Sequence, residues 1–228
     1  MFIAIVNSYN RPRNIQRIVD ALLPCKLITH IYVNNNNTSV LMEEYVLANK
    51  KVTCINQTED KGASVRFEIA KEHIEQNAIA LDDDVFLTTA QINNLMLHFL
   101  NMTCGNVLGF WGEKKDYSSG LLVGNRYRFN GTLEVLNLGY LFSKNHLDNY
   151  FSLQKELQNE GINKQEWIDD MILSFSGSSN PRCIDIGPIA ICQSSKDPNI
   201  ATHKKEGFQE YRNQVFTLLK TKQECQLK

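Results

Sequence analysis

No apolar run in the 228 residues approaches the ~20 that a helix needs to span a bilayer. The opening Met1-Phe2-Ile3-Ala4-Ile5-Val6 has no charged segment before it, and Asn7-Ser8 interrupts it early. That is short of the ~7–15 apolar residues of a secretory leader, so the segment reads as a strand. A C-x-x-C pair is also missing. Cys25, Cys54, Cys104, Cys183, Cys192 and Cys225 are scattered, which argues against a zinc site or a disulfide framework. They read as reduced thiols of a cytoplasmic protein. Triplets such as Asn56-Gln57-Thr58 then carry no meaning, because glycosylation needs secretion. There is no excess of either charge: 24 Lys+Arg stand against 25 Asp+Glu, a formal net charge of −1. A nucleic-acid or anionic-membrane binder would show a basic surplus. Internal repeats, low-complexity tracts and linkers are absent, and 43% hydrophobic with 21% charged residues excludes disorder. At ~150 residues per domain, one large α/β domain over residues 1–228 fits best.

What is present alternates between strand and helix patterns in the first half. Phe2 to Asn7, Leu27 to Val33, Val52 to Ile55 and Ala78 to Leu81 are short apolar runs. Between them Pro12 marks a helix start, and Ile15, Ile18, Val19 and Leu22 recur at helical spacing. Val40 to Asn49 reads as a short helix, and Val65, Ile69 and Ile74 as the inward side of another. Thr88 or Thr89 caps a helix carrying Ile92, Leu95, Met96, Phe99 and Leu100. Strands separated by helices predict a mainly parallel sheet covered on both faces. The second half is less regular, an α+β continuation. Val107 to Trp111, Tyr127 to Phe129 and Leu133 to Phe142 have strand character, and Ser143 caps a helix. A further helix is expected over about Lys164 to Phe175 and a last one over Lys205 to Lys220. The loop from Glu113 to Gly124 has a composition that often carries specificity.

The strongest chemical signal is Ala80-Leu81-Asp82-Asp83-Asp84-Val85. Three adjacent carboxylates at the C-terminal mouth of a strand repel one another unless a cation sits among them, and in open α/β sheets that edge binds ligands. Hard oxygen donors suit Mg²⁺ or Mn²⁺ with positions left for phosphate oxygens. The bland alternative is a solvated acidic turn. A second acidic pair, Asp169-Asp170, sits beside the stripe Trp167, Ile168, Met171, Ile172 and Phe175. Acids in a first helical turn are also explained by the macrodipole, worth ~0.3–1 kcal/mol. Arg11 and Arg66 are of the type that meets phosphate or a nucleobase. His203 and Arg212 are positioned to close over a site from the C-terminal segment. A phosphate-cradling loop with a nucleophilic Asp and a Lys partner, which a phosphotransferase or hydrolase needs, is not found.

In combination these pieces resemble a GT-A glycosyltransferase, specifically the exostosin-type retaining family, over most of the chain. The resemblance is carried by Ser8-Tyr9-Asn10-Arg11-Pro12, Ile31-Tyr32-Val33-Asn34-Asn35, Arg66 ahead of the Asp82–Asp84 D-x-D, and Gly109-Phe110-Trp111. Ser118-Ser119-Gly120, Leu138-Gly139-Tyr140-Leu141-Phe142-Ser143-Lys144, Asp169-Asp170 and the His203 to Arg212 segment continue it in order. It implies a Rossmann-like domain with a nucleotide-sugar half at about 1–110 and an acceptor half at about 111–228. It implies a UDP-sugar donor, an N-acetylhexosamine by family, and a glycan or glycoconjugate acceptor. Arg11 and Asn35 would hold the donor's uracil end, with Asn34 or Asn36 a shifted alternative, and Tyr9 would also bind the donor. Arg66 would pair with the diphosphate or the sugar, and Asp82 and Asp83 with ribose and sugar hydroxyls. Asp84 would bind Mn²⁺ or Mg²⁺, with Asp82 and His203 as further ligand candidates. Asp170, with Asp169, would sit at the sugar's reacting face as nucleophile, electrostatic stabiliser or acceptor-orienting group, and Arg212 would close onto the diphosphate or acceptor. The family places a Cys before the aspartate pair, disulfide-bonded to the C-terminal segment; here Ile168 stands there, so the tail must be held by packing or be mobile. A non-catalytic nucleotide-sugar or glycan-binding module on the same fold is the alternative.

Overall fold

A computed structural model describes residues 1–102, 105–196 and 205–226. In chain order the elements begin with β1 (Phe2–Ser8), α1 (Pro12–Leu22), β2 (Ile28–Asn35), β3 (Val52–Asn56), α2 (Val65–His73) and β4 (Asn77–Asp82). Then come β5 (Val85–Phe86), α3 (Thr89–Asn101), β6 (Leu108–Gly109), β7 (Gly112–Lys115), β8 (Leu122–Tyr127), β9 (Gly131–Thr132) and β10 (Val135–Leu136). The chain continues with β11 (Gly139–Ser143), α4 (Lys144–Asn159), α5 (Asp169–Ser174), β12 (Arg182–Cys183), β13 (Ala190–Ile191) and α6 (Phe208–Gln226).

An 8-stranded sheet runs in the order β3-β2-β1-β4-β11-β6-β12-β9. Its first four strands are parallel, and β11 then runs antiparallel to β4. The expected α/β architecture, helices on both faces, is what forms. Period-two alternation explains the two layers. On β1, Phe2, Ala4 and Val6 pack with α1 and α3, whereas Ile3 and Ile5 pack with α2, α4, α5 and α6. On β4, Ile79 and Leu81 face the first layer, and Ala78 and Ala80 the second. Asp82 continues the second series, so the strand's own pleat turns this acid toward α2.

Several local expectations hold for the reasons given. Pro12 is the first residue of α1. Thr88 caps α3 reciprocally with Gln91: its hydroxyl accepts from Gln91 N–H (3.3 Å), and its N–H donates to Gln91 Oε1 (2.9 Å). Ser143 caps α4 with His146 in the Gln role. Others need correction. Val40 to Asn49 holds only a 3₁₀ turn at Met42–Glu44. The helix expected over Lys164 to Phe175 is broken at Ile168 (φ −137°, ψ 9°) into a 3₁₀ turn, Gln165–Trp167, and the short α5. Leu133 to Phe142 is split into β10 and β11 by Leu138, whose φ of 69° is the one positive value at a non-glycine among the described residues. Glu113, expected to open a loop, lies in β7, paired with Val135. The last helix begins at Phe208, and its Arg212, Val215, Phe216 and Leu219 are buried at helical spacing. Among the described residues no helix is long and apolar enough to cross a membrane.

Candidate functional site

The C-terminal ends of β1, β2 and β4 lie side by side, with Asn7 opposite both Asn34 and Asp82. A cleft of about 500 Å³ opens there, and Tyr9, Arg11, Arg66, Asp82–Asp84, Asp169, Asp170 and Arg212 all line it. Both acidic clusters therefore face one space. The connection between them is Arg66 on α2. Its Nη1 donates to Asp82 Oδ1, and its Nη2 stands 3.2 Å from Asp169 Oδ2. Its Nε is fixed on Ala63 O at 2.8 Å.

Two further arginines complete the charge pattern. Arg11 donates from Nη1 to Asp83 Oδ1 at 2.7 Å and from Nε to Ser194 Oγ at 2.8 Å. Asp83 Oδ2 accepts from the Tyr9 N–H at 3.1 Å. Asp84 stands farther from the same guanidinium, at 3.8 Å. Arg212, 2% exposed, forks onto Asp170: Nη1 to Oδ1 at 2.7 Å, Nη2 to Oδ2 at 3.0 Å. It also donates to Trp167 O (2.9 Å) and Glu113 Oε1 (3.3 Å). Asn137 donates to Glu113 Oε1 at 2.9 Å and to Asp170 Oδ2 at 3.4 Å.

Each described site residue expected from the sequence has a defined set of partners in the fold. Arg11, expected at a uracil, is committed to the acid triplet and Ser194. Asn35 is buried and donates to Asn37 O, Val40 O and Asn56 Oδ1, while Asn34 donates to Asn7 Oδ1 and Asn36 Oδ1. Asn36 is the member of the run that borders the cleft, donating to Gly62 O at 2.7 Å. Arg212, expected to reach substrate, is folded into the protein as the partner of Asp170. His203 lies outside the described residues. Glu113 and Asn137 were not singled out as site residues, and only their contacts reveal them. The thiols match in part: Cys25 and Cys183 are buried and in no disulfide, whereas Cys192, also in no disulfide, is half-buried with its Sγ 3.2 Å from Ser194 Oγ.

Burial drives the electrostatics. Three arginines and Lys205 face eight carboxylates in the cleft wall: Asp60, Asp82, Asp83, Asp84, Glu113, Glu166, Asp169 and Asp170. Burial pushes the Asp169 carboxyl up to about 7, against the attraction of Arg66. Asp82 and Asp83 are raised by burial too, opposed by Arg66 and Arg11 respectively. For Arg66 and Arg212 burial would favour the neutral form, but their acidic neighbours outweigh it and keep both charged. Asp169 is faced by Arg66 on α2, Asp82 on β4, Asp170 on α5, Tyr140 on β11 and Tyr150 on α4. A folded-state pKa above the usual carboxylate value means that stability is fullest below about pH 4 for this group and is lost as pH rises through about 7. Asp169→Asn removes that linkage. Relative to the parent, the metal-free variant is expected to gain stability steadily between pH 4 and 7 and to level off above. Urea titrations at pH 5 and pH 8 giving the same difference between the two proteins would contradict this.

The sheet edge, the acid triplet at the end of β4 and the second acid pair now stand in one frame. Residues 2–225 match the glycosyl transferase family 64 domain. The chain belongs to that family. It is a glycosyltransferase domain. No curated protein matches it. Among solved structures, the family 64 domain is similar to CMP:2-keto-3-deoxy-manno-octonic acid synthetase complexed with CTP (12% identity, 97% of this chain and 99% of that one, TM-score 0.53). It is also similar to S. aureus TarS 1–349 (12% identity, 86% and 61% covered, TM-score 0.53). A third is PcManGT, a mannosyltransferase from Pyrobaculum calidifontis in complex with GDP-Man and Mn²⁺ (13% identity, 81% and 54% covered, TM-score 0.50). The chain spans about half the length of PcManGT. At these identities the likeness is one of fold.

Metal binding can be tested against the donor set. Among the described residues no group of three or more His, Cys, Asp or Glu side chains converges into a metal cage. The carboxylate oxygens of the triplet do fit Mg²⁺ or Mn²⁺ in the form these ions take with nucleotides. One or two protein carboxylates suffice when phosphates and water complete the shell.

Proposed function

We propose that this family 64 domain is a metal-dependent, retaining, exostosin-type transferase that moves an N-acetylhexosamine from a UDP-sugar to a glycan or glycoconjugate acceptor. The observation that carries the reading is the Arg66 bridge, which ties the triplet to Asp169-Asp170 within one cleft. The donor half is taken as about 1–110 and the acceptor half as about 111–228, working as one unit. The description of PcManGT with GDP-Man and Mn²⁺ supports a nucleotide-sugar and a divalent ion here. UDP, the N-acetylhexosamine and retention rest on the exostosin-type resemblance.

Breaking the anomeric C–O bond builds positive charge at the sugar carbon and negative charge on the departing UDP. Asp84 with Asp82 would hold a divalent ion, whose chemistry when bound would be Lewis-acid stabilisation of the leaving diphosphate. Arg66 adds positive charge at the same rim. Tyr9 and Asn36, which also line the cleft, would hold the nucleoside. Asp170 Oδ1 accepts from Arg212 and from the Met171 N–H (2.7 Å), and its Oδ2 from Arg212 and Asn137. A carboxylate so fully hydrogen-bonded has its oxygen lone pairs committed and is a poor covalent nucleophile. Its part is to stabilise the oxocarbenium-like carbon and orient the acceptor.

The test is UDP release from UDP-GlcNAc and UDP-GalNAc, with Mn²⁺ and after EDTA treatment. Slow release with Mn²⁺, falling at least tenfold with EDTA, is expected. No UDP-sugar binding and no UDP release in Mn²⁺ would end the reading; inorganic phosphate instead of UDP would point to a hydrolase.

A further inference from the structure

In the wall beside Asp170, two neighbouring side chains carry buried oxygens with no hydrogen-bond partner: Glu113 Oε2 and Asn137 Oδ1. Glu113 is 7% exposed and Asn137 9%, and both border the cleft. Their orientation is set by chemistry. Carboxylates only accept, so the Asn137 amide must aim its NH₂ at Glu113 Oε1 and Asp170 Oδ2, leaving its carbonyl oxygen over. Glu113 Oε1 is occupied twice, by Asn137 Nδ2 and Arg212 Nη2, leaving Oε2 over. The backbone holds the pair in place. Glu113 sits in β7, and Asn137 N–H donates to Trp111 O (2.8 Å) just before the left-handed Leu138. A buried acceptor left unpaired keeps its full desolvation penalty. Two on adjacent cleft residues need a donor, and water-excluding closure around a sugar provides one.

We propose that Glu113 and Asn137 form a sugar-reading pair, whose Oε2 and Oδ1 accept hydrogen bonds from hydroxyl or amide N–H groups of the transferred sugar. The proposal rests on the donor reading above and adds to it the residues that tell one sugar from another. Arg212 serves both Asp170 and Glu113, so this trio keeps a net negative charge next to the carbon that becomes positive. Sugar hydroxyls and an acetamido N–H point hydrogens outward, which is the complement of two free acceptors.

The measurement is calorimetric binding of UDP and of UDP-GlcNAc, with Mn²⁺, to the parent and to Glu113→Gln. The Gln variant keeps an oxygen for Arg212 and Asn137 but puts an NH₂ where Oε2 was. A charge-assisted bond to a sugar predicts ~10- to 100-fold weaker UDP-GlcNAc binding, with UDP affinity within about twofold. Unchanged UDP-GlcNAc binding, or equal losses for UDP and UDP-GlcNAc, overturns the pair. A second measurement needs no variant: 2-, 3-, 4- and 6-deoxy donors are compared on the parent protein. At least one should lose ~10-fold or more, and that donor should lose little further on Glu113→Gln. Indifference to every deletion overturns the proposal. A parent protein that binds neither UDP nor UDP-GlcNAc instead overturns the donor reading itself.

Discussion

Arg212→Ala is expected to destabilise the protein by ~3–5 kcal/mol, the usual range when one partner of a buried ion pair is removed. In the parent, this guanidinium makes bonds to Asp170, Glu113 and the Trp167 carbonyl from a fully buried position. Alanine would leave Asp170 and Glu113 as neighbouring buried carboxylates with Asn137 as their shared donor. It would also open space beside Phe208, whose ring lies 5.3 Å from the guanidinium carbon. For a domain of this size the thermal midpoint should fall on the order of 10 °C. Arg212→Lys should recover only part, because one ammonium cannot reproduce a two-pronged fork. If the loss is electrostatic, adding Asp170→Asn and Glu113→Gln to an Arg212→Met background should restore much of it. An Arg212→Ala protein within ~0.5 kcal/mol of the parent in urea would refute the account, since that is the spread of ordinary surface changes.

The same residue answers the question posed by Ile168. Where the exostosin-type resemblance implies a disulfide to the C-terminal segment, this chain has a buried isoleucine and a polar clamp. Arg212 ties α6 to Trp167 and Asp170, on either side of Ile168, and the Lys164 N–H donates to Tyr211 Oη at 3.0 Å. Trp167 packs against Phe208 and Tyr211, and Val215, Phe216 and Leu219 enter the core. Of the two options the sequence left, packing is what holds this helix.

The sheet was legible because its signal is local. Alternation along β1 and β4, Pro12 at the start of α1, and the Thr88 and Ser143 caps act within a few residues. The acid triplet was legible as chemistry, since adjacent carboxylates after a buried strand demand a cation. What could not be read was which cation each acid meets. Arg11 and Arg212 look in sequence like substrate contacts, yet Arg11 meets Asp83 72 residues away and Arg212 meets Asp170 42 residues away. Glu113 and Asn137 carry no pattern of their own. They matter through one another and through Arg212, which only the fold supplies. The break at Ile168 escaped for a related reason: its flanks follow helical spacing, and the hydrogen bond of Arg212 to Trp167 O caps the carbonyl there instead.

Asp84→Asn should separate the cation's role from the fold's. Asp82 and Asp83 each hold an arginine through a direct hydrogen bond, so removing either charge disturbs the cleft wall itself. Asp84 has the looser pairing, 3.8 Å from Arg11, and its side chain retains some exposure. Its backbone carbonyl, which accepts from Cys192 N–H at 2.8 Å, is unaffected by the substitution. The thermal midpoint without metal is therefore expected to change far less than for Arg212→Ala, because the direct Arg11–Asp83 and Arg66–Asp82 hydrogen bonds are left in place. If Asp84 carries the divalent ion, Mn²⁺-dependent UDP release should fall ~10²- to 10³-fold, the usual effect of losing one stabiliser of developing charge. UDP affinity in Mn²⁺ should fall as well, toward the value the parent shows in EDTA. The decisive pattern is loss of the EDTA effect: a variant that binds UDP equally with and without Mn²⁺ has lost the ion's anchor. Full Mn²⁺ dependence retained in Asp84→Asn would assign the ion to another group and remove Asp84 from the site.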